Sequence, residues 1–402
     1  MKGETVNTHV LVLGEKTGKI HREAQATGTA SRQLFWAFCS RPGAPCRKMK
    51  GFRVLIKRIR RRDSAAQKGI GMKMRQSIAR EIPIQAVGPV GIGQVENREA
   101  GTGLTVFVCP AGMRAGLDIR GGGPASREPQ LLQPLTAARE IHAIVLGGGS
   151  AFGLDAAGGV MQCLEERGIG LEVGVTKVPL VAQSDIFDLT VARPDVRPDA
   201  AMGYEAARLA LDAPNYRDGN FGVGCGATVG KMAGMATCMK TGIGSYAVQL
   251  GDVKISAVVV VNALGDVFDW KNGRQVAGLL TEDRRGLRST SDYLKGMTAI
   301  AENKFAGNTT LAVVMTNAAF DKARLCKIAG MAHDGYARSI HPVHTSADGD
   351  SIYAVSLGDV RADQDLVGTM AAEVVSEAIL RAVAAAESAY GYPSARDLGI
   401  IL

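Results

Sequence analysis

Five short apolar runs constrain this chain more than any other feature: LTVFV (104–108), HAIVL (142–146), ISAVVVVNA (255–263), TLAVVMTN (310–317) and SIYAVS (351–356). Their length and their Val and Ile content read as buried strands. Helical periodicity lies between and after them. FGLDAAGGVMQCLEER (152–167) and AMGYEAARLAL (201–211) are two such segments. DKARLCKIAGMAHDGYARSI (321–340) sets Leu325, Ile328, Ala329 and Ala332 at three-to-four spacing. A last helix, about 363–388, repeats Leu366, Met370, Val374, Ile379 and Val383 along one face. Strands mixed with helices predict a layered α/β or α+β fold. The proline-bearing stretch 176–200 and the charged stretch 270–305 are expected to be surface excursions.

Composition excludes several classes. Apolar residues make up 46% of the 402 and charged residues 21%, the balance of a soluble globular protein. No run approaches the ~18–20 apolar residues of a membrane helix. No apolar block with a small-residue cleavage site follows MKGETVNTHV, so no secretory signal is expected. The seven cysteines (39, 46, 109, 163, 225, 238, 326) are scattered without a Cys-x-x-Cys pair, as expected of reduced thiols in a cytoplasm. The net charge of +8 is unevenly distributed. Residues 1–80 hold 19 Lys and Arg against 4 Asp and Glu, and the remaining 322 hold 28 against 35. The expectation is a basic, disordered leader over 1–80, or upstream sequence translated ahead of a start at Met72 or Met74, and a mildly acidic globular domain over 81–402. RKMKGFRVLIKRIRRR (47–62) has the charge to bind nucleic acid or an anionic membrane, but nothing after residue 80 resembles a nucleic-acid module.

Three glycine clusters suggest phosphate loops and fail as such. GGGSAFG (147–153) follows a strand and opens a helix, but it places three residues rather than two before its last glycine. GATVGK (226–231) resembles the end of a P-loop. Its frame, however, puts Cys225 where the first glycine belongs and Met232 where the Mg²⁺-binding hydroxyl belongs. RGGGPASREP (120–129) lacks a strand-loop-helix frame and reads as a shaped loop. Such clusters mark places where backbone passes close to backbone or to a ligand.

AGNTTLAVVMTNA (306–318) carries the strongest chemical signal. Gly307-Asn308 is a small polar hinge that runs into two threonines at the head of an apolar strand. A threonine hydroxyl is a weak nucleophile. A backbone cut just before it frees an α-amine of pKa ~7.7–8 that can serve as its base. Taken alone, the same residues also read as a turn capped by Asn-Thr before a core strand.

GNTTLAVVMTNA, followed by HTSADGDSIYA (344–354), resembles the peptidase family of the L-aminopeptidase/D-amidase/esterases, which includes β-peptidyl aminopeptidases and 6-aminohexanoate-oligomer endo-hydrolases. The resemblance continues through TGLTVFV (102–108), DIRGGGPASRE (118–128), AIVLGGGSAFGLDAAGGV (143–160), GVGCGATVGK (222–231) and VVVVNALGDV (258–267), in one order across roughly 82–390. It implies an αββα sandwich of the self-processing N-terminal-nucleophile type, cut between Asn308 and Thr309 into 1–308 and 309–402. Thr309 would be the nucleophile, Asn262 would aim its amide at the oxyanion, and Lys231 would lie close to Thr309. Asp348 and Asp350 would form a carboxylate network that orients Thr309. The read-alone alternatives are a strand-end turn for Asn262, a surface lysine for Lys231 and an Asp-Gly-Asp turn for the aspartates. No cofactor is implied. The expected partners are a small peptide or amide substrate and further copies of the processed protomer, as a homo-tetramer. The family's oligomer hydrolases usually carry a tyrosine where DIFDL (185–189) has Phe187, which leaves substrate range open.

Three rival readings stand beside this one. A metal site is one: His333, His341, His344, Asp348 and Asp350 fall within eighteen residues and HPVH is His-x-x-His, yet its proline breaks a helix and no HExxH glutamate accompanies them. Ornithine acetyltransferases cut themselves before threonine in a similar way. A homologue that never cleaves is the third.

Overall fold

The computed structural model describes residues 79–297 and 307–400, together with one short antiparallel pairing of His9–Val10 with Ala24–Gln25. The chain divides into two units, Met1–Gln76 and Ser77–Leu402. The expectation of a basic, disordered leader falls almost wholly outside the described residues.

Eight principal strands build the second unit: β1 (Gly91–Asn97), β2 (Thr102–Ile119), β3 (Ile141–Gly147), β4 (Val181–Asp185), β5 (Ile243–Leu250), β6 (Val253–Asn262), β7 (Thr309–Ala318) and β8 (Ser351–Val360). β5, β6, β7 and β8 lie side by side, and Arg80–Glu81 pairs on the free edge of β5. β1, β3, β4 and Ala125–Arg127 form a second group. The long β2 belongs to both. Its residues 114–119 pair with β8, its residues 102–108 pair with β1, and 104–108 of these also pair with β3. The register breaks between Val108 and Met113, where Gly112 takes φ +83°, so one strand passes from sheet to sheet at an irregularity.

Strand alternation shows that the two sheets lie face to face. Along β6, Val258 and Val260 join a core shared with Phe107, Ile144 and Leu146 of the other sheet. The alternate residues Ile255, Ala257, Val259 and Val261 join a core with α3 (Lys322–Ser339) and α4 (Gln364–Ala385). The outer face of the second group, Val106, Val108, Ala143 and Val145, packs on α1 (Ala156–Glu166) and α2 (Ala200–Asp212). Apolar side chains on both faces of a strand require cover on both sides. Three cores therefore separate four layers, helix, sheet, sheet and helix. Asp199, Asp321 and Asp363 each accept a backbone N–H at the starts of α2, α3 and α4, the usual carboxylate cap. Gly335 lets α3 approach α4, since a Cβ there would lie 2.5 Å from the Ala372 carbonyl oxygen.

Three expectations need correction. The stretch 176–200 is not only a surface excursion, because it contains β4, all five of whose residues are buried. Gln183, Ser184 and Asp185 disguise that strand as a polar loop. Partners inside the protein take up most of their polar atoms: Gln183 Nε2 donates to the Gly153 carbonyl at 2.7 Å and to Asp185 Oδ1 at 2.8 Å, and the Ser184 hydroxyl lies 2.6 Å from the Tyr353 hydroxyl. Likewise, Val276, Ala277, Leu279 and Leu280 are buried within the charged stretch 270–305. Leu366, placed on the apolar face of the last helix, is 39% exposed in its first turn, whereas Met370, Val374, Ile379 and Val383 are buried. Among the described residues no helix is long and apolar enough to cross a membrane.

Candidate active site

The antiparallel pairing of β6 with β7 sets Asn262 directly opposite Thr309, the first residue of β7. On the other side, β8 runs parallel to β7, and a bridge between Asn308 and Asp348 carries the Asp348-Gly349-Asp350 turn past the Asn308–Thr309 bond. Lys231 arrives from the GATVGK turn. There Gly230 takes φ +75° against Gly278, leaving no room for a side chain. The structure thus brings Thr309, Asn262, Lys231, Asp348 and Asp350 to one buried locus at the ends of three adjacent strands.

The Thr309 hydroxyl donates to the Asn308 carbonyl, the group it would attack. The same carbonyl oxygen accepts the Gly349 N–H at 2.9 Å. Gly349 is required there, because a Cβ would lie 2.7 Å from Thr309 Oγ1. In the sequence it is only the middle of a turn.

Lys231 Nζ donates to Asn262 Oδ1 at 2.6 Å, to the Asn262 carbonyl at 3.1 Å and to the Gly307 carbonyl at 3.0 Å. Burial pulls its pKa down to about 8, a fall that nearby Cys238, Asp348 and Asp188 only partly oppose. The Asn262 amide is fixed from both ends. Its Oδ1 also accepts the Thr228 N–H at 3.1 Å, and its Nδ2 donates to the Phe187 carbonyl at 3.1 Å.

The aspartates act mainly on backbone. Asp348 Oδ2 accepts the hydroxyl and N–H of Thr345, at 2.5 and 3.0 Å, and burial together with the Asp350 charge raises its pKa to about 6. Asp350 Oδ1 accepts the Thr310 N–H at 2.7 Å, next to the candidate nucleophile, and its Oδ2 lies 2.9 Å from His344 Nδ1. His344 is thus a second participant that the sequence offered only as a metal-ligand candidate. The His341 ring packs on Phe268, whereas the His333 ring packs edge-on against that of His344, 4.8 Å away, and its Nε2 lies 3.0 Å from the Asp118 carbonyl. Among the described residues no group of three or more His, Cys, Asp or Glu side chains is placed to hold a metal ion.

Two facing sheets between helical layers are the architecture of the N-terminal-nucleophile hydrolase fold. The chain belongs to peptidase family S58, whose family model matches residues 84–396. An uncharacterized aminopeptidase of Mycobacterium leprae is 38% identical over 312 residues, covering 73% of this chain and 85% of that protein. A 6-aminohexanoate-oligomer endohydrolase of an Agromyces species is 33% identical over 313 residues, covering 73% and 83%. Two solved structures share the fold. The β-aminopeptidase of a Burkholderia species has a TM-score of 0.53 at 19% identity, over 78% of this chain and 90% of that one. The L-aminopeptidase D-Ala-esterase/amidase of Ochrobactrum anthropi has a TM-score of 0.50 at 16% identity, over 75% and 85%.

Proposed function

We propose that this chain cuts itself between Asn308 and Thr309 and then hydrolyses amide bonds through an ester on Thr309. The observation that carries this reading is the Thr309 hydroxyl hydrogen-bonded to the carbonyl of the bond to be cut, with Lys231 and Gly349 beside it. In self-cleavage, Thr309 Oγ1 attacks the Asn308 carbonyl carbon and gives its proton to neutral Lys231. With a pKa of about 8, about a tenth of Lys231 is neutral at pH 7. The Gly349 N–H holds the developing oxyanion. The C–N bond breaks, the proton passes to the departing Thr309 nitrogen, and an Asn308 ester remains on the threonine oxygen. Water hydrolyses that ester to the Asn308 carboxylate, freeing both the hydroxyl and the α-amine of Thr309.

In turnover the α-amine serves as base, and the substrate's acyl group passes to Thr309 Oγ1 while its amine leaves. The second N–H of Asn262 Nδ2 is the side-chain donor for the oxyanion. Asp350 anchors the Thr310 N–H, and Asp348 holds the 345–348 turn. The substrates are small peptides, aminoacyl amides or ω-amino-acid oligomers, in line with the names of the relatives. Thr309→Ala tests the reading. The variant is expected to stay one chain and to leave aminoacyl p-nitroanilides and 6-aminohexanoate oligomers untouched. Hydrolysis by that variant would overturn the assignment.

A further inference from the structure

GGGSAFG and GATVGK converge in space on a carboxylate that the mechanism above does not use. Asp188 is 2% exposed; its Oδ1 accepts the Gly149 N–H at 2.7 Å and its Oδ2 accepts the Thr102 hydroxyl at 2.7 Å. The glycines are there because the carboxylate occupies the space of their side chains. A Cβ at Gly148 would lie 2.1 Å from Asp188 Oδ2, and one at Gly226 would lie 2.6 Å from it. The neighbouring backbone is stitched down as well: Ile186 N–H donates to the Gly147 carbonyl at 2.7 Å, and Ser150 N–H to the Ile186 carbonyl at 3.0 Å. Between these anchors sits Phe187, whose carbonyl accepts the Asn262 amide.

We propose that Asp188 is a positioning residue of the hydrolase site, pinning residues 186–188 so that the Phe187 carbonyl orients Asn262, and setting a negative charge near Lys231. The proposal rests on the roles given above to Asn262 and Lys231. A carboxylate needed only for packing would be replaceable by its neutral isostere without chemical consequence, whereas one that also acts by charge would not. The titratable groups whose charge acts on Asp188 are Asp185 on β4, Cys225, Lys240 and Lys231. Those facing Lys231 are Cys238, a thiol whose own pKa burial pushes up to about 11, Asp348 and Asp188. Burial raises Asp188 to about 6, so it is ionised at neutral pH and favours the charged form of Lys231. Removing that charge lowers the Lys231 pKa further, and neutral lysine then exists at lower pH.

Full-length Asp188→Asn and Asp188→Ala are compared with the wild-type chain. Asparagine keeps the shape and an acceptor for the Gly149 N–H. Its self-cleavage should proceed with the acid limb of the rate profile moved to lower pH, by about half a unit or more. Alanine releases the 186–188 segment, and kcat and kcat/KM should fall together by about tenfold or more, since the oxyanion hydrogen bond that is weakened is made only in the transition state. An unshifted acid limb in Asp188→Asn overturns the proposal, as does an unchanged kcat in a folded Asp188→Ala. If the alanine chain does not fold, the asparagine profile alone decides. A wild-type chain that never cleaves defeats the earlier reading instead and is recognised in the same gel.

Discussion

Lys231 and Lys240 are both fully enclosed by protein, and burial pulls both pKa values down, to about 8 and about 7. Lys240 donates to the carbonyls of Gly224 at 2.9 Å, Ala227 at 3.0 Å and Thr241 at 2.5 Å, so its ammonium ties the 224–227 turn to the backbone of its own segment. Lys231 instead donates to the Asn262 side chain and to the Gly307 carbonyl, two residues before Thr309. The lysine with the lower pKa is the one farther from the candidate chemistry. Desolvation alone therefore does not mark a catalytic lysine; the groups at the far end of its hydrogen bonds do.

The largest expected effect separates the two directly. Lys231→Met should slow self-cleavage by about 10²–10⁴-fold, the usual worth of a general base, as read from a gel time course of freshly purified protein. Comparable cleavage in both lysine variants would break the comparison. Asn262→Ala removes the side chain that Lys231 holds. It should reduce kcat by about 10²–10³-fold, while self-cleavage, a single event supported by the Gly349 N–H, still reaches completion. A mature enzyme with unchanged kcat would remove Asn262 from the oxyanion site.

Lys240→Met is the mildest. Cleavage should be complete, and the cost should appear in stability: the Gly224 and Ala227 carbonyls keep the N–H groups of Ala227 and Thr241, so the loss is about 1–3 kcal/mol for the Thr241 carbonyl. The pH dependence sharpens this. A lysine whose folded pKa is depressed contributes stability that is present above its unfolded pKa and lost as pH falls through the folded one. The wild-type chain should accordingly gain Tm over Lys240→Met as pH rises from about 7 toward the ordinary lysine value of 10.5. A constant difference across that window would contradict burial as the cause.

The sequence made some of this legible and hid the rest for physical reasons. β6, β7 and β8 could be read directly because each is covered on both faces and so carries an unbroken apolar run. β4 could not, because Gln183, Ser184 and Asp185 meet their partners inside the protein, which composition does not reveal. Thr309, Asn262, Lys231 and the two aspartates were named from motifs, and strand pairing explains why distant motifs meet. Gly349 leaves no such signal because it offers a backbone N–H rather than a side chain. The sequence offers His344 only as a metal ligand, although its partner Asp350 is six residues away. Asp188 was hidden by the 86 residues that separate it from Thr102.

The most direct test of the account is the intact mass of the purified wild-type chain, followed by N-terminal sequencing of any small fragment. The account predicts two polypeptides, the smaller being residues 309–402, 94 in all, and beginning TTLAVV. An active preparation that remains a single uncut chain, or one cut at a bond other than Asn308–Thr309, would contradict it.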